Sequence, residues 1–308
     1  MCVKIKYFLS FCLNTLLLSC LVSCEKEIEI DTQNFDKHLV INAIFNANSP
    51  LVLHFSNTTR PTNRYESSKD SLQVFIFENN KLVLNAKTLS DSLSTNIIPS
   101  SFNNYSIKIK SLDQDTVFAT DIIPRSIPIE HATFKKGVGY DKDGGEIKEV
   151  SVTFMDPPNE KNYYELLFVY VNSDNAVSNY YSTMYDVLEL GVQDSVLLNE
   201  GDNNFYPTTH FFSDELFDGK QYTIKLKSFY NGNWSNQHVV LRSVSKSYYL
   251  YRKYYTRHFF NQPTQDFGIY GLFFKAEPQA MFTNIVNGYG IFAGYTESTP
   301  VILEQVKN

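Results

Sequence analysis

Two stretches, Tyr105-Ser106-Ile107-Lys108-Ile109-Lys110-Ser111 and Tyr222-Thr223-Ile224-Lys225-Leu226-Lys227-Ser228, decide the fold class. In each, a Tyr and two aliphatic residues alternate with Ser, Thr or Lys. That period of two sends one row of side chains into a core and the other into water, as on a half-exposed antiparallel strand. Each stretch follows a turn, Asn103-Asn104 in one and Asp218-Gly219 in the other. The echo predicts two bodies of similar architecture; seven positions also match by convergent strand chemistry, so duplication does not follow.

Moving outward, Leu39, Ile41, Ala43 and Phe45 share one face, and after the Asn46 to Pro50 turn so do Leu51, Leu53 and Phe55, which reads as a β-hairpin. Further strands are expected at Leu72 to Phe77, Lys81 to Leu84 and Thr116 to Ile122, with a polar loop from Thr59 to Asp70. Pro124 and Pro128 bracket a short stretch that suits a boundary, so the first domain is placed at 39–125 and the second at 126–308. In the second, the nearly continuous apolar run Tyr164 to Val171 reads as a strand buried on both faces. A helix is expected from Ser243 to Phe260, where Val244, Tyr248, Tyr251, Tyr255 and Phe259 recur at three and four residue steps and Ser243 caps. Asn287-Gly288 accepts the positive φ of a tight hairpin. The fold class expected is mainly β: two antiparallel β-sandwiches, Ig-like or transthyretin-like, the second with one α-helix.

Composition agrees. Phe 24 and Tyr 21 favour pleated strands, and 43% hydrophobic against 19% charged residues excludes wholesale disorder. Lys+Arg 27 against Asp+Glu 33 leaves a formal charge of −6, which argues against a nucleic acid partner held by the overall field.

Residues 1–23 have the layout of a secretory signal: Lys4 and Lys6, then an uncharged run from Tyr7 to Val22 that is too short and too soon followed by charge to span a bilayer convincingly. It closes on Leu21-Val22-Ser23-Cys24, which resembles the bacterial lipobox and makes Cys24 the lipidated residue. Leu17-Leu18-Ser19-Cys20 also fits the pattern, but it lies inside the apolar run. Cleavage before Cys24 removes Lys4 and Lys6 and no acid, so the mature charge is 25 minus 33, or −8. Residues 24–38 then form an acidic tether in which Glu25, Glu27, Glu29 and Asp31 follow the anchor. The cluster is similar to the tract that routes lipoproteins to the cell surface in Bacteroidota; a plain solvated tether explains it too.

The C-terminal stretch Ser243-Val244-Ser245, the Tyr-rich helix, Glu277-Pro278 and Asn284-Ile285-Val286-Asn287-Gly288-Tyr289-Gly290-Ile291-Phe292-Ala293-Gly294 resembles the domain of unknown function 4249 family, lipoproteins of Bacteroidota. The opening is similar as well, from Ser23 to Asp31 and in Leu39-Val40-Ile41-Asn42. The resemblance implies a two-part β lipoprotein of the outer membrane, often encoded beside a TonB-dependent transporter, and supplies no catalytic residues.

Six histidines, His38, His54, His131, His210, His238 and His258, are scattered without zinc-site spacing. There is no nucleophile elbow, Walker sequence or dinucleotide fingerprint. Asp141, Asp143 and Glu146 surround a glycine turn and form the one calcium candidate, which a plain Asp-Gly turn explains equally. Trp234 sits in the turn Asn231-Gly232-Asn233 as a candidate contact for a sugar or peptide, with core packing the commoner role. Tyr249 and Phe260 fall off the helix stripe and are the other two candidate ligand or partner contacts. Asp70-Ser71-Leu72, Asp91-Ser92-Leu93, Asp115-Thr116-Val117 and Asp194-Ser195-Val196 resemble O-glycosylation acceptors of Bacteroidota; turn chemistry entering a strand favours the same triplets.

The expected function is therefore a non-enzymatic outer-membrane lipoprotein facing the cell exterior. It would need no cofactor and would hold outer-membrane lipid through Cys24. Its role would be that of an accessory or ligand-capturing subunit of a TonB-dependent transporter. The alternatives are a lipid-anchored extracellular hydrolase of peptide or glycan and a stand-alone carbohydrate-binding adhesin.

Overall fold

The computed structural model describes residues 36–59, 71–140, 144–171, 177–178, 194–201, 209–228, 237–260 and 279–306, with side chains at all of these except 170, 171, 177, 178, 259 and 260. The first half contains β1 (Leu39–Asn46), β2 (Val52–Asn57), β3 (Leu72–Glu78), β4 (Lys81–Thr88), β5 (Ser92–Ser94), β6 (Asn104–Lys110) and β7 (Val117–Ile122). The second contains β8 (Ile129–Tyr140), β9 (Glu146–Met155), β10 (Tyr163–Val171), β11 (Val177–Ser178), α1 (Ser195–Glu200), β12 (His210–Ser213), β13 (Gln221–Ser228) and β14 (Gln237–Val244). It ends with α2 (Lys246–Phe260), β15 (Tyr289–Glu297), β16 (Val301–Ile302) and β17 (Glu304–Gln305).

These strands form two four-stranded sheets, β4-β3-β6-β7 and β13-β9-β8-β17, and one nine-stranded sheet that faces both. The long sheet runs β11-β10-β14-β15-β1-β2-β5, with β12 on β10 and β16 on β14. Its β1-β2 end closes a core with the first small sheet, in which Leu39, Ile41, Phe45, Leu53 and Phe55 meet Val74, Ile76, Tyr105, Ile107 and Ile109. Its β10-β14 end closes a second core with the other small sheet, where Tyr164, Leu166, Phe168 and Leu241 meet Val150, Val152, Phe154, Ile224 and Leu226. The fold is mainly β, with two antiparallel sandwich cores, as the alternation predicts. Both echo strands point the same alternate residues inward, although Tyr222 is only partly buried where Tyr105 is fully so.

Residue 125, where the division is placed, lies between Ile123 of the first core and Ile127 of the second. One element crosses it. β15 pairs in parallel with β1, from Val40 opposite Tyr289 to Asn46 opposite Tyr295, and antiparallel with β14 at Val244 opposite Tyr295. Phe292 is sealed in the first core while Ile291 and Ala293 pack on the opposite face under α2. Residues 285–293 thus complete the sandwich whose other strands come from 39–123.

The Asn287-Gly288 turn exists, with Asn287 at φ 61°, but no second strand precedes it. Val286 makes an isolated antiparallel bridge to Phe118 instead. The missing pairing to β15 is supplied by a side chain: Asn284 Nδ2 donates to the Phe292 carbonyl at 2.7 Å, and the Phe292 N–H donates to Asn284 Oδ1 at 3.0 Å. Gly290 adopts φ 103°, and a Cβ there would lie 2.0 Å from the Ile41 carbonyl oxygen, so only glycine lets β15 approach β1.

The helix begins three residues later than periodicity places it. Ser243 remains in β14 opposite Tyr164 and Thr296, and Ser245 is the cap, its hydroxyl accepting from the Tyr248 N–H at 3.1 Å. The stripe also differs. Tyr248 and Tyr249 are both buried while Tyr255 is 42% exposed, because α2 lies on a broad sheet face and is held from Phe211 on one side to Ile291 and Ala293 on the other.

Candidate functional site

In β10, where Tyr164 to Val169 are all inside, one side chain is a carboxylate: Glu165, 1% exposed. A buried ion needs partners, because desolvation otherwise costs several kcal/mol. Glu165 has four. Arg242 Nη1 lies 3.0 Å from Oε2, the Tyr248 hydroxyl donates to Oε2 at 2.8 Å, the Thr209 hydroxyl donates to Oε1 at 2.7 Å, and Arg252 approaches to 3.9 Å. Arg242 also donates through Nε to Glu297 at 2.8 Å and stacks 4.7 Å from the Tyr295 ring. Glu165, Arg242 and Glu297 form one cross-strand row over β10, β14 and β15. Burial would push Glu165 up, but Arg242 and Arg252 outweigh it and hold the carboxyl below the usual range. A group so fully ionised and saturated is poorly placed to exchange protons with a substrate.

A second ion pair anchors α1 to α2. Lys253 Nζ donates to Glu200 Oε2 at 2.6 Å and to the Glu200 carbonyl at 2.9 Å, and the Tyr249 hydroxyl donates to the same carboxylate. Burial raises the Glu200 carboxyl, yet the Lys253 and Tyr249 hydrogen bonds bring it below its ordinary value. At the start of α2, Asp121 of β7 accepts from the Ser245 hydroxyl and, at 3.1 Å, from the Gly294 N–H. Burial pushes this carboxyl up to about 6 against the lowering effect of those bonds. It lies near the range of a general acid or base, but its Oδ2 is occupied in joining β7 to α2 and β15.

Three carboxylates, Asp156, Asp214 and Asp218, bring one oxygen each within 4.8 Å of one another. Three hard oxygens at this spacing match what a divalent cation takes. Asp156 and Asp214 are both raised, in each case by burial first. Both oxygens of Asp156 and one of Asp214 already accept hydrogen bonds: Asp156 from the Tyr164 hydroxyl and from the Gly219 N–H at 2.8 Å, and Asp214 from the Asn162 N–H at 2.6 Å. The cluster therefore braces the 156–162 loop against the 214–220 turn, where Gly219 at φ 68° would put a Cβ 2.7 Å from Pro158.

An open cleft of about 240 Å³ lies between the end of β7, the 160–163 loop and the start of α2. Arg125 crosses it, stacked 5.3 Å from the Phe102 ring and paired with Glu160 at 3.1 Å. Phe102 itself sits at φ 66°, a conformation a bulky residue rarely holds. A second, larger and more polar hollow of about 410 Å³ lies on the β13-β9 face, around Asp194, Tyr222 and Lys225.

Sequence reasoning and structure meet at few of these points. Cys24, Asp141, Asp143 and Trp234 lie outside the described residues, as does the side chain of Phe260. Glu146 starts β9 opposite Tyr140. Tyr249, expected to face a partner, is 8% exposed, packed 4.7 Å from the Tyr163 ring and tied to Glu200, so its surface is spent inside the molecule. Of the histidines, His210 is fully buried and held down to about 4 by desolvation, which keeps it neutral. The networks at Glu165 and Glu200 are absent from the sequence-based reading. The readable signal for the first was a Glu and an Arg, each adjoining an apolar run, Tyr163-Tyr164-Glu165-Leu166-Leu167 and Val239-Val240-Leu241-Arg242.

A family model described as Domain of unknown function (DUF4249) matches residues 25–300. No curated protein matches the chain. Among solved structures, the chicken CNTN1 FN1-FN3 domains are similar at 10% identity and a TM-score of 0.27. That match covers 66% of this chain and 57% of the other, a likeness too slight to bear on architecture.

Proposed function

Because the chain belongs to the DUF4249 family, whose description states no activity, its role has to be argued from its residues, and we propose that it is a lipid-anchored outer-membrane protein facing the cell exterior. In this reading it is a non-enzymatic accessory or ligand-capturing subunit of a TonB-dependent transporter, of the kind found in Bacteroidota. The observation that carries it is Leu21-Val22-Ser23-Cys24 at the point where apolar sequence gives way to Glu25-Lys26-Glu27, with the family match opening at residue 25, directly after the cysteine. The acidic residues between Cys24 and the folded body, which starts at Lys37, supply the tether such a protein requires. The buried carboxylates favour a scaffold role, since Glu165 is engaged in holding α2 to the long sheet and Glu200 in holding α1 to α2.

Mass spectrometry of the mature N-terminal peptide tests the anchor: a diacylglyceryl-modified Cys24 is expected, and an unmodified Cys24 or an acylated Cys20 overturns it. Protease shaving of intact cells tests the outward orientation, with protection until lysis as the contrary result. Affinity purification of the tagged full chain after mild detergent extraction tests the partner. A transporter barrel is expected to copurify, and its absence overturns the subunit role. Truncation at residue 125 would be a poor test, because it removes β15 and opens the first core.

A further inference from the structure

The first small sheet turns one face to its core and leaves the other without any covering element among the described residues. On that outer face one row of side chains crosses the sheet: Phe75 of β3 lies opposite Lys108 of β6, which lies opposite Phe118 of β7, which bridges to Val286. Phe118 is 40% and Val286 58% exposed. Cations are interleaved with these rings. Lys108 Nζ lies 5.4 Å from the Phe118 ring centre and Lys110 Nζ 5.8 Å from that of Phe75, while Lys87 and Lys110 flank Gln73 in the next row. The outward positions of β3, β4, β6 and β7 include three lysines and no carboxylate, in a chain whose formal charge is −6. Such a face complements a surface that is anionic at its boundary and apolar just beneath.

The path of the chain says which surface that is. The Leu39 carbonyl, at the start of β1, lies where a Cβ on Gly288 would come within 2.6 Å, and the same Cβ would be 3.4 Å from Val117. The first strand of the folded body therefore starts beside Gly288 and Val117, close in sequence to Val286 and Phe118. The twelve residues 25 to 36 separate Cys24 from that point, a reach of about 40 Å at full extension. Resting on the lipid-anchor reading above, we infer that the Phe75-Lys108-Phe118-Val286 face is the membrane-facing surface, docking on anionic lipid headgroups of the leaflet that holds Cys24. The acidic tether, repelled by the same headgroups, would leave this cationic face as the part of the protein that settles on the bilayer.

The test uses the lipidated mature chain, in which Cys24 is blocked, so that Val286→Cys provides a single thiol for an environment-sensitive fluorophore; Leu198→Cys on α1 is the control. Each protein is reconstituted into phosphatidylcholine vesicles with or without phosphatidylglycerol and with a nitroxide-labelled lipid as quencher. Flotation with the vesicles reads the anchor, and quenching reads the face. The expected result is strong quenching and a blue shift at position 286 on anionic vesicles, weaker effects on neutral ones, little at 198, and a fall at 286 to the control level in the Lys108→Glu/Lys110→Glu variant while flotation persists. Equal quenching at both positions, or none at 286 in protein that floats, overturns the docking face alone. Protection of the 286 probe by heparin but not by lipid overturns it in favour of an acidic glycan. Failure to float, or a second label on Cys24, overturns the anchor and the inference together.

Discussion

Glu165 and Arg242 face each other across β10 and β14, in register and 3.0 Å apart, both almost fully buried. The pair is completed by Glu297 on β15, so a single ionic row ties the strand shared by the two cores to the centre of the second. Sequence separation gives no hint of this, since the three residues are contributed by different parts of the chain.

Removing one partner strands a buried charge. Arg242→Met is expected to destabilise the protein by about 3–5 kcal/mol, and Glu165→Leu combined with Arg242→Met by less than either single change. Urea unfolding of the three variants checks this. Because Glu165 is held below its ordinary range, its contribution is full above that range and is lost as pH falls through the depressed value. The wild-type advantage over the double variant should shrink on the acid side, and an advantage independent of acidification would contradict the assignment.

Asp121 predicts the opposite dependence. Its carboxyl titrates near 3.8 when unfolded and near 6 when folded, so between those values the folded state binds more protons and stability falls as pH rises. Asp121→Asn keeps an acceptor for Ser245 and Gly294 and removes that fall. Denaturation midpoints from pH 4 to 7 should converge at the acid end and separate in favour of the variant above pH 6, with the carboxyl carbon shift reporting the midpoint directly.

Asn284 replaces a strand by accepting from and donating to the backbone of Phe292. Asn284→Ala leaves both groups of a buried residue unpaired, at a cost of about 1–3 kcal/mol for each that finds no water. Amide exchange at Phe292 and a chemical-denaturation curve would show the loss; unchanged protection there would refute the clamp.

Gly290→Ala should be far worse than an ordinary glycine replacement, since it meets both a φ of 103° and a 2.0 Å approach to the Ile41 carbonyl. The expected outcome is loss of the β1-β15 pairing and little folded protein. Gly144→Ala, with a φ of 84° and open space around it, serves as the comparison that isolates the backbone penalty from the clash.

The alternation in Tyr105 to Ser111 and Tyr222 to Ser228, and the unbroken run from Tyr164, determined that the chain forms sandwich cores and which faces of those strands turn inward, because a period of two fixes faces locally. The Asn287-Gly288 dipeptide likewise determined a turn, though not what lay on either side of it. Pairing partners are another matter. A strand's sequence states how many faces it buries but not which edge it joins, and nothing in Tyr289 to Glu297 says that it runs parallel to β1 and closes a core built 170 residues or more earlier in much of its length. The same holds for Tyr249, whose helical position looked free until the sheet beneath α2 proved wide enough to take it, and for Glu165, whose charge acquires Arg242, Tyr248 and Thr209 only once three separate elements are packed together. Local periodicity follows from neighbouring dihedral angles; edge choice and buried ion pairing follow from the free energy of the whole assembled sheet, and only the tertiary structure decided them.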